Sequence, residues 1–270
     1  MEKRLFQGHI NIPVLSVLLL FLLIHPLYAQ TFAPNYTDPA TGMEFVLVPG
    51  GCFEMGNKWG GGSYTEYPVH EVCVSAYYLG KTEVTQGQWQ AVMGENPSYF
   101  KLADNYPVDS VSRIDAAKFL NEMNGDTLSG YRLPTEAEWE FACRSGGKDQ
   151  QYCGGDSPDD YAWYEKNSGD VPHPVAQKNP NGLGLYDMSG NVWEFCSDIF
   201  AKDYYETGPK QNPQGATSGR HLIKRGGTWG INENFQRAAT RARGGMEEAH
   251  FSTGFRVALP AVQVMSMSQK

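Results

Sequence analysis

Pro180-Asn181-Gly182-Leu183-Gly184-Leu185-Tyr186-Asp187-Met188-Ser189-Gly190-Asn191-Val192-Trp193-Glu194 carries three glycines and two asparagines in fifteen residues. Neither a helix nor a long strand can run through it, because these residues favour turns over repeated backbone angles. Asp187 to Asn191 reads as a polar turn, and Val192-Trp193 as the start of a core strand with Trp193 packed inward. On the N-terminal side, Leu133-Pro134-Thr135 with Glu138 three residues later forms a capping box, predicting a helix that carries Trp139, Phe141 and Ala142 toward Gly146-Gly147. Glu138 is then a capping carboxylate before it is a catalytic candidate. Thr85 with Gln88 opens a helix over 86–93 in the same way. Ser112 with Asp115 opens another that runs to Asn124-Gly125, with Ile114, Ala117, Leu120 and Met123 at helical spacing. Runs 44–55 and 69–78 read as consecutive strands. Beyond residue 147 no helical period is visible, and the chain ends on a strand over 254–259.

The whole chain fits this pattern. Thirty glycines and sixteen prolines in 270 residues interrupt any long helix, and 41% apolar residues exclude a disordered or fibrous protein. The formal charge of −8, from 22 basic and 30 acidic residues, comes with no Lys/Arg cluster, which excludes nucleic acid as an expected partner. An acidic chain can instead hold hard cations. No Gly-x-Ser-x-Gly, phosphate loop or His-Glu-x-x-His occurs. Asp104, Asp198 and Asp203 read as solvated acids.

Lys3 and Arg4 precede an apolar run of about eleven residues, short of the roughly twenty that span a bilayer. Residues 1–29 therefore read as a signal peptide cleaved before Gln30, and an uncleaved anchor is the alternative. An irregular lead over 30–41, one domain over 42–260 and a tail over 261–270 follow. The mature protein is expected in the periplasm or outside the cell, with no membrane association after signal removal. Export favours disulfides among the five cysteines. Cys52 and Cys73 lie in the two consecutive strands and are the first pair expected. Cys143 and Cys153, flanking a Gly-rich connection, are a second, which leaves Cys196 as a buried small residue.

Several segments together resemble the formylglycine-generating enzyme, or sulfatase-modifying factor, family. They are Gly80-Lys81-Thr82-Glu83-Val84-Thr85, Pro107-Val108, Tyr131-Arg132-Leu133-Pro134-Thr135-Glu136-Ala137-Glu138-Trp139-Glu140, the 180–194 segment, Arg225-Gly226-Gly227-Thr228-Trp229 and Gly254-Phe255-Arg256, in the family's order. The resemblance implies an α+β, loop-rich, C-type-lectin-like fold with short helices and small antiparallel sheets. It also implies a calcium loop in which Asp187 and Glu194 give carboxylates while Gly190 and Val192 give carbonyls, suited to a hard cation of structural role.

The family's oxidase converts a sulfatase cysteine to formylglycine with copper(I) held between two thiolates, which lie just after the segment matched by Arg225 to Trp229. This chain reads Gly230-Ile231-Asn232-Glu233-Asn234-Phe235-Gln236 there and has no cysteine after Cys196. Copper is therefore not an expected cofactor, since hard amide and carboxylate oxygens discriminate poorly for a soft ion. His221 and His250 flank the region without ligand spacing. Two function classes follow. One is an exported member that binds a protein, peptide or glycan, or runs altered chemistry, on a late-loop face of Trp229, Asn232, Asn234, Phe235, Arg241 and His250. The other is a formylglycine-generating oxidase with an unrecognised metal site.

Overall fold

The computed structural model describes residues 33–125, 130–262 and 264. The expected signal peptide, residues 1–29, and most of the tail lie outside them. In chain order the elements are β1 (Asn35–Thr37), β2 (Glu44–Val48), β3 (Gly51–Met55), β4 (His70–Val74), β5 (Tyr77–Gly80), α1 (Gln86–Met93), α2 (Arg113–Asn124), α3 (Glu136–Cys143), α4 (Pro158–Tyr161), β6 (Ala162–Trp163), β7 (Ser189–Gly190), β8 (Trp193–Ile199), α5 (Tyr204–Thr207), β9 (Leu222–Arg225), β10 (Ala242–Gly244), β11 (Thr253–Gly254) and β12 (Ala258–Pro260). This is a mixed α and β fold of short pieces. One sheet runs β1-β2-β5-β12, wholly antiparallel. A second runs β10-β9-β8-β11, with β11 parallel to β8 at its edge.

The three capping boxes form as their sequences require. Thr85, Ser112 and Thr135 each accept from the backbone three residues on, and Gln88, Asp115 and Glu138 reach back to the cap. The inward stripe of α2 differs from the expected one. Ala116, Phe119 and Leu120 are buried, whereas Ile114 is 40% exposed. Capping at Ser112 sets the helical phase and leaves Ile114 on the solvent side of the first turn. Two short helices, α4 and α5, also appear beyond residue 147, where no helical period is legible. Each is four residues long, too short to show one.

The expected final strand divides in two. Gly254 pairs with Glu194 in the second sheet and Ala258 with Leu79 in the first. Residues 255–257 cross between the sheets, and Phe255, Arg256 and Val257 are buried on the way. In the lead, β1 pairs with β2, because Asn35 to Thr37 finds an open strand edge to continue. Cys52 and Cys73 are direct partners across β3 and β4 and are bridged. Cys143 and Cys153 are bridged as well, and Cys196 is free and buried.

Helix α3 is buried along its whole length although it carries three glutamates. Each meets an arginine. Glu138 takes both ends of Arg132 at 2.6 and 2.7 Å, Glu136 both ends of Arg241 at 2.7 and 2.9 Å, and Glu140 takes Arg144 at 2.9 Å together with Arg225. Burying these charges is tolerable only because each is paired and hydrogen-bonded. Trp139 on the same helix sits in a core formed with Phe53, Phe141, Leu185, Met188 and Ile223, while α1 and α2 pack Trp89 and Phe119 against Phe255 in a second core.

Candidate functional site

The turn before β8 is held by a cluster of buried acids. Asp187, Gly190 and Asn191 all have positive φ, at 56°, 83° and 59°. At Gly190 a Cβ would lie 2.2 Å from the Trp163 carbonyl oxygen, so only glycine fits. Asp187 is buried, and its Oδ2 accepts from the Ala176 N–H at 2.7 Å while Oδ1 has no hydrogen-bond partner among the described residues. Glu194 is fully buried and accepts from Arg256 on both oxygens, at 2.6 and 2.7 Å, and from the Trp139 indole N–H at 2.7 Å.

Glu83 completes the cluster. Its carboxylate accepts from the Val192 N–H at 3.1 Å and from the Asn191 amide at 2.8 Å. Burial pushes the Glu83 carboxyl well above its ordinary range, with Asp187 and Glu194 adding to the rise. Burial likewise carries Asp187 up to about 6. Three carboxylates thus share the single guanidinium of Arg256. Among the described residues, however, no three His, Cys, Asp or Glu side chains converge as a metal-ligand set. Any cation held by this loop must rely on carbonyls and water beside Asp187 and Glu194. Glu83 was not singled out from sequence, and its only signal is an acid set between Thr82 and the apolar Val84.

The six late-loop residues do not form one face. Trp229 is 8% exposed and is the inner ring of an aromatic patch, 5.4 Å from Phe100 and 5.9 Å from Phe251. His250 stacks on Phe251 at 4.2 Å, and Tyr99, 72% exposed, lies 5.0 Å from Phe100. Tyr99, Phe100 and Phe251 come from two distant loops, so sequence reading missed them. Asn234, Phe235 and Arg241 instead line a cavity of about 460 Å³ with Gly60 to Ser63, Glu66 and Arg237. Arg241 is spent on Glu136 and the Thr65 carbonyl, and Asn232 caps a short 3-10 turn over 233–235.

In the segment where the resemblance implies thiolates, Gln236 is buried and its amide donates to the carbonyls of Thr228, Ile231 and Asn232 at 3.1 to 3.2 Å. It braces the loop from inside. His221 is exposed and His250 is tied to Ser252. Asp104 and Asp203 are exposed as expected, whereas Asp198 is buried and accepts from the Glu136 N–H at 2.8 Å. It was misread because the strand that buries it is covered by α3 from another part of the chain.

The family model described as the sulfatase-modifying factor enzyme 1-like domain matches residues 31–261. A chaperone protein LppX from Paenibacillus barcinonensis is 34% identical over 230 residues, covering 66% of this chain and 79% of that protein. A formylglycine-generating enzyme from Streptomyces coelicolor is 29% identical over 282 residues, covering 79% and 88%. Among solved structures, Treponema denticola variable protein 1 superposes with a TM-score of 0.75 at 29% identity, over 84% of this chain and 99% of that one.

Proposed function

The chain belongs to the sulfatase-modifying factor enzyme 1-like domain family, and from that premise we propose that it is an exported binding member of the family, recognising a polypeptide through the patch of Tyr99, Phe100, Trp229, His250 and Phe251. The observation that carries this reading is the patch itself. Four aromatic rings and an imidazole pack against one another at the surface, with Tyr99 and Phe251 open to solvent. Rigid aromatic anchors are the residues that dominate protein recognition. A relative named as a chaperone favours a polypeptide partner over a small metabolite. Substituting Tyr99→Ala and Phe251→Ala together is expected to abolish binding to peptides selected on the wild-type protein while leaving the fold intact. Selection that yields no peptide, or peptides that bind the double variant equally well, would contradict the proposal.

A copper-dependent oxidase is disfavoured by what occupies the 230–236 segment, where Gln236 fills the interior and no thiol is present. Purified protein with copper and a sulfatase-type cysteine peptide is expected to form no aldehyde above the buffer rate. Mass spectrometry of the peptide checks this, and a mass loss well above background would restore the oxidase reading. Export is supported by the leader in the sequence, and no helix of the described residues is long and apolar enough to cross a membrane. Intact mass of the secreted product is expected to begin at Gln30.

The turn before β8 fits an oxygen-seeking cation. The unpartnered Asp187 Oδ1 and the excess of carboxylates over guanidinium both favour one. Asp187 with the Gly190 and Val192 carbonyls would hold calcium there, Glu194 joining them only by giving up a contact with Arg256 or Trp139, and the ion would supply charge balance and rigidity, with no part in chemistry. Binding to the folded form alone raises stability by about 2.7 kcal/mol at a hundred times the dissociation constant. Chelator is therefore expected to lower the melting temperature of calcium-loaded protein, and Asp187→Asn to blunt the response. An unchanged melting curve would remove the stabilising role.

A further inference from the structure

The cavity of about 460 Å³ between residues 60–63 and 234–241 shares no residue with the aromatic patch. Its size lies in the range of small-molecule sites, about 300–1,000 Å³. One wall is side-chain-free. A Cβ at Gly60 or Gly61 would meet nothing within 4 Å, whereas at Gly62 it would strike Glu66 Oε2 at 2.4 Å and Arg237 Nη2 at 2.8 Å. Glycine at 62 thus lets the floor of the cavity, the Arg237–Glu66 pair, approach the loop backbone.

The charges of that floor are already matched. Arg237 meets Glu66 through both ends at 2.8 and 3.0 Å, and Arg241 is spent on Glu136. Glu66 also accepts from the Asn57 amide and the Ser63 N–H, which fills the roughly four acceptor positions of a carboxylate. A charged ligand would have to displace one of these partners. What stays open is neutral. The carboxamides of Gln151 and Asn234 line the cavity and make no hydrogen bond to a described residue. Ser63 Oγ accepts from Thr65 and keeps its own proton to donate. The Thr240 hydroxyl donates to the Asn234 carbonyl at 3.4 Å and keeps only acceptor capacity, and Phe235, 47% exposed, adds an aromatic wall.

We propose that this cavity is a binding site for a neutral polyhydroxylated ligand, a sugar ring. Amide and hydroxyl donors and acceptors on one lining suit the hydroxyls of a sugar, and the Phe235 ring suits the apolar C–H face of a pyranose. These groups surround one concavity and do not run along an open strand edge, as extended peptide recognition requires. The site is independent of the aromatic patch, so either can fail alone.

Saturation-transfer NMR on the full chain with glucose, galactose, mannose and N-acetylglucosamine, and thermal-shift titration with sodium sulfate and sodium acetate as anion probes, test the assignment. At least one sugar is expected to bind, and Asn234→Ala and Phe235→Ala are each expected to weaken it about tenfold or more, the scale of losing one good contact. Melting temperatures should stay unchanged, and Phe251→Ala should leave sugar binding intact. No binding by any of the four sugars, equal binding by both cavity variants, binding of the anions alone, or loss in Phe251→Ala instead would each overturn the proposal.

Discussion

Arg256→Met is expected to destabilise the fold by about 3–5 kcal/mol, the cost of stranding a buried charge. Arg256 is fully buried, as is its partner Glu194, and it also donates to the Gly80 and Tyr186 carbonyls at 3.0 Å each. It thereby ties the crossing segment 255–257 to the end of β5 and to the turn before β8. Its removal leaves Glu83, Asp187 and Glu194 with no cation among them, apart from any bound ion. Urea denaturation in the presence of chelator measures the loss, and a change below about 1 kcal/mol would show that the pair is not needed. Adding Glu194→Gln to Arg256→Met is expected to recover part of the loss, because two contacting residues do not contribute additively.

Folding stability is expected to fall as pH rises from about 4 to about 7, with Asp198 one of its causes. Its carboxyl is pushed up to about 7 by burial and then by the nearby Glu136 charge, with Glu138 adding a little. The Glu136 N–H and the Ser197 hydroxyl pull the other way. Arg132, Tyr204 and Cys196 complete the ionisable surroundings. The sign follows from proton counts. In that window the folded protein holds a proton that the unfolded chain, with an ordinary carboxyl near 3.9, has lost. Stability therefore declines with pH, by about 4 kcal/mol over the window from this one group. Asp198→Asn keeps an acceptor for the Glu136 N–H and removes the charge, so it is expected to flatten the decline and to be the more stable form at pH 8. The buried Glu83 and Asp187 carboxyls are raised as well and titrate in the same direction, so the measured quantity is the difference between wild type and variant across pH 4–8. Parallel profiles would contradict the assignment.

The family and the short-element architecture were legible because they rest on local signals. A threonine or serine three residues before a reciprocating Gln, Asp or Glu creates its own helix start whatever packs on it, and all three boxes formed. Cys52 and Cys73 were legible for a related reason, as consecutive strands joined over a short distance pair with each other. The two four-residue helices were not legible, since one turn carries no period. Nor was the inward face of α2, where the cap and the neighbouring sheet set the rotation and left Ile114 outside.

The sequence by itself determined the family, the capped helices, the first disulfide and the lack of a thiol pair in the 230–236 segment, each a matter of which residue stands next to which. Tertiary structure alone decided the sites. Glu83, Asp187, Glu194 and Arg256 are spread over more than 170 positions, and their shared burial depends on which loops the two sheets bring together. The late-loop residues divided between an aromatic patch and a polar cavity because residues 60–66 and 99–100, far upstream, pack against different ends of that segment. Asp198 turned from a solvated acid into a buried one when α3 settled over its strand. Burial and charge pairing depend on contacts between distant parts of the chain, and no local pattern encodes them.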